Sequence, residues 1–412
     1  MTLSARDRSV LRPLAERYSE IAHLDVQKER LARYRATNDL EEVRPVVLID
    51  EVPWGEIRDE ALAESCSPEL VWLERELRRA IYQWDHFQVD MVLPPVFAVA
   101  KRIRSTGIGI GVQDVQIKSD TGTYAASHEY QDQLQTPEDL DRLRLPEISY
   151  DREGSERALE QAGEVFAGLM PVRLRGEAFQ FNMWDRIAMY RGVESLLMDL
   201  AVRPEFMHET ARRFEAIAAA TLRQYAEQDL LEPDLTLVHC TPACSRELPA
   251  PDHAGKARPK DVWGRCAAQI FGSVSPEMHD EFDLAYNQRL FGGCGLLYYG
   301  CCEPMDGKID LLRRRFPNLR KISITPWADP ERAARNIGGD YVLAAKPNPA
   351  FVASPRFNPA PVEEEIARYL EPCRRHGTTC EFVLKDISTI ANDPRNLSQW
   401  AETVQGVIDR YC

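Results

Sequence analysis

A (β/α)8 barrel with an N-terminal helical extension and a long irregular insertion is the fold predicted for this 412-residue chain, on three observations. Short apolar, β-branched runs recur from Arg44 to the end of the chain. They lack the alternation of a half-solvated strand, as expected where helices cover both faces of a parallel sheet. Stretches with helical spacing separate most of them, and the runs number eight. Eight such units suit a closed barrel better than an open doubly wound sheet. No Gly-x-Gly-x-x-Gly follows the first run, which argues against dinucleotide binding.

The elements follow in order. Residues 1–43 are charged, with Leu11, Leu14, Tyr18 and Ile21 at helical spacing, and read as a helical extension. The barrel is expected over 44–412. RPVVLID, from Arg44 to Asp50, is the first strand, and Glu69 to Phe87 an amphipathic helix. VDMVLPP, from Val89 to Pro95, is the second strand, stopped by two prolines. Residues 104–165 read as an insertion or lid, rich at first in Gly, Asp, Gln and Thr. MPVRLRGEAF is the third strand, followed by helix from Asp185 to about Glu227, interrupted near Pro204. DLTLVHC, LLYYGCC, LRKISITPW, YVLAAKP and CEFVLKDI are the remaining strands. Asp329 is the expected N-cap of the helix that starts at Pro330, and Gly377 the end of the helix before the last strand.

Composition narrows the function classes. The net charge of −14 opposes non-specific binding to a phosphate backbone. No apolar run reaches 18 residues, so no membrane span is expected. The first twenty residues lack the apolar core of a signal peptide, so the expected location is the cytoplasm. In that reducing setting, clustered cysteines point to metal binding or catalysis more than to disulfides. Of the ten cysteines, Cys240 and Cys244 form one group at a strand end, and Cys301 and Cys302 another.

A β/α barrel carries its active site at the carboxyl ends of its strands. Those ends supply Asp50, Glu51 and Trp54; Glu177, Trp184 and Asp185; His239, Cys240 and Cys244; Cys301, Cys302 and Glu303. Trp327 and Asp329, Lys346 and Asn348, and Lys385, Asp386 and Thr389 follow. Polar and soft donors at nearly every strand end exceed what a stable core needs, and this convergence marks an enzyme. Zinc takes four ligands from Cys, His, Asp or Glu and in catalytic sites leaves one position open. His239, Cys301, Cys302 and Glu303 are the candidate ligands. Neighbouring residues on a strand face opposite ways, so Cys301 and Cys302 can meet only if the chain turns, for which Pro304 is the candidate. Each has a bland alternative: a cysteine as a small buried apolar residue, a histidine satisfied in the core. Glu177, Asp185, Lys385 and Asp386 are candidates for proton handling, and Lys385–Asp386 could equally be a structural ion pair. Trp54, Arg175, Phe181, Trp184 and Trp327 are candidates to bind substrate, Arg175 through a carboxylate and the aromatics through a flat apolar body.

The stretch MPVRLRGEAFQFNMWDRIAMYRGVESLLMDLAVRPEFMH, with the strand order around it, resembles the uroporphyrinogen decarboxylase superfamily. That resemblance implies a (β/α)8 barrel with one of two chemistries. One is cofactor-free decarboxylation of a porphyrinogen; the other is zinc-dependent methyl transfer involving a corrinoid on a partner protein. The decarboxylases carry an arginine-rich motif where this chain has Asp50 and Glu51, and Gly-His-Gly where it has Lys385-Asp386-Ile387. The methyltransferases carry His-x-Cys at the end of the fifth strand. Here that motif falls on Gly300-Cys301-Cys302, which keeps the cysteine and lacks the histidine. The resemblance therefore implies a metal-dependent methyltransferase of demethylase type, with zinc as cofactor. It would use a small-molecule methyl donor or acceptor and a separate corrinoid protein, and a homodimer is also expected. The alternatives are a decarboxylase or lyase acting on a small or tetrapyrrole carboxylic acid, and a non-catalytic barrel that binds a ligand.

Overall fold

The computed structural model describes residues 3–118 and 126–411. Its centre is a curled sheet of seven parallel strands with a second parallel pair beside it. In chain order the strands are β1 (Val46–Ile49), β2 (Phe97–Ala100), β3 (Val172–Arg175), β4 (Phe179–Gln180) and β5 (Trp263–Cys266). They continue with β6 (Leu296–Tyr299), β7 (Leu319–Ile324), β8 (Val342–Ala345) and β9 (Cys380–Leu384). The sheet order is β1-β9-β8-β7-β6-β5-β4, and β2 pairs with β3 apart from it. Among the described residues the ladder does not run continuously round to β1, so the architecture is barrel-like and open, where a closed (β/α)8 barrel was expected.

Strand burial follows from parallel pairing covered by helices. Leu297, Tyr299, Ile322, Ile324, Leu343, Ala345, Phe382 and Leu384 join the large core with residues such as Ile366 and Val404 of the surrounding helices. The alternating positions face inward. Tyr298 and Ala344 pack with Trp263 and Val238, while Val383 packs with Val46, Leu48 and Cys240. The inner layer also holds a dry ion pair, Lys321 Nζ to Glu381 Oε2 at 2.9 Å, with neither side chain reached by solvent.

Two strand assignments move. VDMVLPP is not a strand; pairing begins at Phe97, after both prolines. A ring without a free N–H cannot feed a ladder, so the prolines precede the strand that they were expected to end. DLTLVHC is not a barrel strand either. Only Leu237–Val238 pairs, antiparallel with Thr241–Pro242, and the barrel place falls to Trp263–Cys266, which the pattern had left in a loop. The hairpin sits on the inner face instead. Trp263 Nε1 donates to the Ala243 carbonyl at 2.7 Å, and Lys321 Nζ to the Pro242 carbonyl at 2.9 Å. An apolar run fits that interior plug as well as it fits a strand, and periodicity alone does not separate the two.

The N-terminal helices α1 (Ala5–Ala22) and α2 (Asp25–Asn38) form as their spacing predicts. Leu11, Ala15, Tyr18 and Ile21 of α1 share a core with Leu73 and Leu77 of α3 (Val71–Phe87). The insertion contains two antiparallel pairs, Ile103–Ser105 with Ile148–Tyr150 and Asp114–Lys118 with Ala126–Tyr130. Residues 119–125 of the expected lid lie outside the described residues. The Asp329 side chain accepts from the amides of Glu331 and Arg332, and Gly377 ends its helix at φ 65°, both as predicted.

Candidate functional site

At the carboxyl ends of β6, β7, β8 and β9 lies a cavity of about 430 Å³. Cys301, Cys302, Lys385 and Asp386 line one side, and Pro326, Trp327, Pro347 and Pro349 another. Lys346 and Thr325 also line it. Its size is at the small end of ligand sites.

Backbone geometry brings the reactive groups together. After β6 the chain turns at Gly300, φ 97°, and the Ser323 hydroxyl holds the next carbonyl, that of Cys301, at 2.7 Å. The turn needed for both cysteines to meet therefore falls on Gly300 and not on Pro304. A side chain at Gly300 would place Cβ 3.2 Å from Ser323 Cβ in a conformation L residues disfavour. Cys301 is buried, Cys302 is exposed, and their sulfurs are 3.7 Å apart.

His239 reaches the same place from the plug. His239 and Cys240 are the two central residues of the tight hairpin, with φ 40° and 67°, as a type I′ turn requires. That turn favours Asn-Gly; His-Cys adopts it at a cost, and strain of this kind gathers where chemistry needs it. His239 Nε2 stands 3.5 Å from Cys301 Sγ. Lys385 Nζ approaches the same sulfur at 3.5 Å and Asp386 Oδ2 at 3.0 Å. Cys302 Sγ lies 3.3 Å from Asp386 Oδ2, and Glu51 Oε2 accepts the Asp386 amide at 2.8 Å. Glu51 and Asp386 also carry left-handed φ values, 52° and 56°.

The electrostatics separate the two thiols. The hydrogen bond from Cys302 pulls the Cys301 thiol far below its ordinary pKa; burial opposes this, and His239, Arg265 and Lys385 assist. Cys301 is the thiolate. The same hydrogen bond, with burial and the Asp386 charge, keeps the Cys302 proton in place. Burial lowers His239, so its imidazole is neutral. Lys385 stays protonated: burial works against its charge, but the Cys301 thiolate and the Asp386 and Glu51 carboxylates hold it on.

The remaining residues predicted for the site lie elsewhere. Glu303 is buried, and its carboxylate accepts the amides of Ala268 at 3.1 Å and Cys301 at 2.9 Å, so it braces the turn that carries the thiolate. Asp185 accepts from Gln269 Nε2 and the Ile270 amide at 3.1 and 3.3 Å; burial, then the Glu303 charge, raises it to about 7. Trp184 is in the core, stacked on Phe271 and donating to the Phe282 carbonyl at 2.9 Å. Phe181 is buried with Arg186 over its ring. Trp54 lies under Arg79 and lines a separate cleft with Arg58 and Arg75. Glu177 and Arg175 are not among the residues lining the cavity; the Glu177 amide bonds to the Leu230 carbonyl. Thr325 and Ser388, which do line it, were missed by the sequence reading, though each sits within a few residues of a strand end. Lys346 was noted as a strand-end residue and, under the lyase alternative, named with Arg175 as a group that could bind a carboxylate; it lines the cavity and Arg175 does not.

No family model matches this chain, and no curated protein matches it. Among solved structures it is similar to a methyltransferase from Methanosarcina mazei, at 11% identity over 93% of this chain and 98% of that one, with a TM-score of 0.49. A likeness of that strength carries no argument about this chain's chemistry.

Proposed function

We propose that this protein is a methyltransferase that moves a methyl group between a small substrate and a corrinoid on a separate protein, with zinc at its thiol pair. One observation carries the reading: a buried thiolate, Cys301, meets an imidazole, a second thiol and a lysine at the strand-end cavity. Soft donors at the mouth of a barrel-like fold suit a soft or borderline metal better than a hard one.

The donors pass part of the test for zinc. Tetrahedral ligands at the usual lengths of ~2.3 Å to sulfur and ~2.0–2.1 Å to nitrogen stand roughly 3.8 Å apart for two sulfurs and 3.6 Å for sulfur and nitrogen. Cys301–Cys302 at 3.7 Å and Cys301–His239 at 3.5 Å match both separations. As they stand, no three or more His, Cys, Asp and Glu among the described residues form a group that could hold an ion. The Lys385 ammonium already occupies one side of the thiolate. Loading would require that ammonium to withdraw toward Asp386 and Glu51, its other partners at 3.0 and 3.9 Å.

With an ion on Cys301, Cys302 and His239, the group would supply Lewis acidity to the oxygen, nitrogen or sulfur that bears the methyl. A reduced corrinoid on the partner protein would supply the electron pair that takes the methyl, and the heteroatom would keep the pair of the bond that it loses. This chain's own residues handle the rest. Asp386 and Lys385 form the polar pair that can hold or return the proton that the heteroatom takes up, and Trp327 with the prolines gives the cavity an apolar wall on one side. The test is elemental analysis of purified protein joined to a corrinoid demethylation assay. Stoichiometric zinc lost in Cys302→Ala, with demethylation lost alongside, is the expected result. Protein without metal, or an active Cys302→Ala, defeats the proposal.

A second reading, a lyase acting on a small carboxylic acid without corrinoid, has the Lys385–Asp386 pair and neutral His239 in its favour, since both can move protons. Carbon dioxide release by metal-free protein would select it.

A further inference from the structure

The cavity contains a second lysine, and the two differ in one respect. Lys385 is satisfied by Asp386 at 3.0 Å and by the Cys301 sulfur at 3.5 Å. Lys346 is only 4% exposed, and its Nζ has no hydrogen-bond partner among the described residues. It lies 5.6 Å from the centre of the Tyr298 ring, which offers a weak cation–π contact and no acceptor. The carboxylate on the neighbouring strand, Glu381, gives Oε2 to Lys321; its charge also acts on Lys346, but its Oε1 forms no hydrogen bond with that ammonium. A buried ammonium without a partner is among the costliest arrangements in a folded protein, and the group is retained where something else completes it.

The surroundings show what completes it. Lys346 lines the cavity while its Nζ is covered, so the side chain has to turn outward for its unmet donors to meet a bound molecule. Thr325, 1% exposed, lines it too; its hydroxyl oxygen accepts the Trp327 amide at 3.2 Å, and its own proton is free to be donated to an anion. Across the cavity stand Pro326, Pro347, Pro349 and Trp327, the last 73% exposed and so open to stacking. A cationic seat facing an apolar wall within about 430 Å³ fits a compact amphiphile with one charged end.

We propose that the cavity binds a small monocarboxylate, with its carboxylate on Lys346 Nζ and the Thr325 hydroxyl and its apolar body against Trp327 and the prolines. This deepens the proposed function and rests on its reading of the cavity as the substrate site: the methylated substrate is then an acid whose heteroatom end faces Cys301 and Cys302. Burial lowers Lys346, and an anion beside it favours the charged form.

The probes are benzoate and cyclohexanecarboxylate, with benzamide as the neutral control, titrated into the full chain by calorimetry. Binding alone is measured, so the result is independent of whether the protein transfers methyl groups or holds metal. Wild-type protein is expected to bind a carboxylate and to prefer benzoate to benzamide. Lys346→Met, which keeps length and removes charge, should weaken benzoate roughly 30-fold or more, the range for truncating one partner of a buried charge pair. Lys346→Arg should keep part of the affinity. Lys346→Met should also melt no lower than wild type, because it removes an unpaired buried charge; a lysine that braced the fold would give the opposite. Equal benzoate affinity in Lys346→Met, no carboxylate binding by wild type, or a Met variant that melts markedly lower would each overturn the assignment.

Discussion

Replacing Glu381 by leucine tests whether the inner layer of the sheet is as dry as its geometry implies. Glu381 Oε2 meets Lys321 Nζ at 2.9 Å with both side chains at 0% exposure, and among the described residues the ammonium is otherwise held by the Pro242 carbonyl at 2.9 Å and lies 5.9 Å from the centre of the Trp263 ring. Burial brings Lys321 down to about 8, against the pull of Glu381. Removing one member of such a pair leaves the other buried and uncompensated, at a cost of about 3–5 kcal/mol. For 412 residues the unfolding entropy is roughly 0.9 kcal/mol per kelvin, so Glu381→Leu should lower Tm by about 3–6 °C. The double variant Lys321→Met/Glu381→Leu should recover most of this, since an apolar pair of similar volume is often neutral or better. The pH dependence has a definite sign. Folded Lys321 releases its proton near pH 8 while the unfolded chain keeps it to about 10.4, so this group makes stability rise with pH between the two. Urea unfolding of wild type, both singles and the double, at pH 7 and 9, measures the whole set. A loss below about 1 kcal/mol in Glu381→Leu, or a double variant no better than the single, would show that water reaches the pair and refute the reasoning.

Two further changes test how the thiolate is supported. Asp185 titrates near pH 7 in the folded chain and near 4 in the unfolded one, so the folded state keeps a proton over that interval and stability falls as pH rises through it; Asp185→Asn should flatten that slope and raise Tm above pH 7, measured by melts from pH 4 to 8. Glu303→Gln replaces one accepting oxygen with a donor facing the Cys301 or Ala268 amide, and should cost about 1–3 kcal/mol by urea unfolding. If Glu303 serves only to brace the turn, zinc binding measured by titration should survive in the folded variant, and loss of zinc at unchanged stability would count against that role.

Much of the frame was legible along the chain. Strands β6 to β9 show as continuous apolar runs because helices cover the outside and a packed layer fills the inside, so both faces demand apolar residues. Helix starts and stops at Asp329 and Gly377 were legible because capping is settled within a few residues. The cysteine pair was legible as a place, and its meeting with Lys385 and Asp386 followed the rule that strand ends converge; His239 arrives from the interior hairpin instead. The same local pattern misplaced two elements. DLTLVHC satisfies an interior hairpin as readily as a strand, and WGRC, with a glycine and an arginine, carries no strand signal of its own.

What only the tertiary structure decided is the division of labour among groups that look alike in sequence. Two adjacent cysteines became a thiolate and a thiol because Cys302 hydrogen-bonds to Cys301, which His239 and Lys385 also approach, while Asp386 stands beside Cys302. Two strand-end lysines became one paired and one unpaired because Asp386 lies beside Lys385 and no acidic group among the described residues bonds Lys346. Gly300, which stands where a histidine would complete the resembling motif, is fixed by a left-handed turn and the nearness of Ser323, and the imidazole comes instead from His239 on the plug. Sequence determines which donors a strand end offers. Which of them meet, and in which charge state, depends on distances between segments tens to hundreds of residues apart, and burial then amplifies each of those contacts.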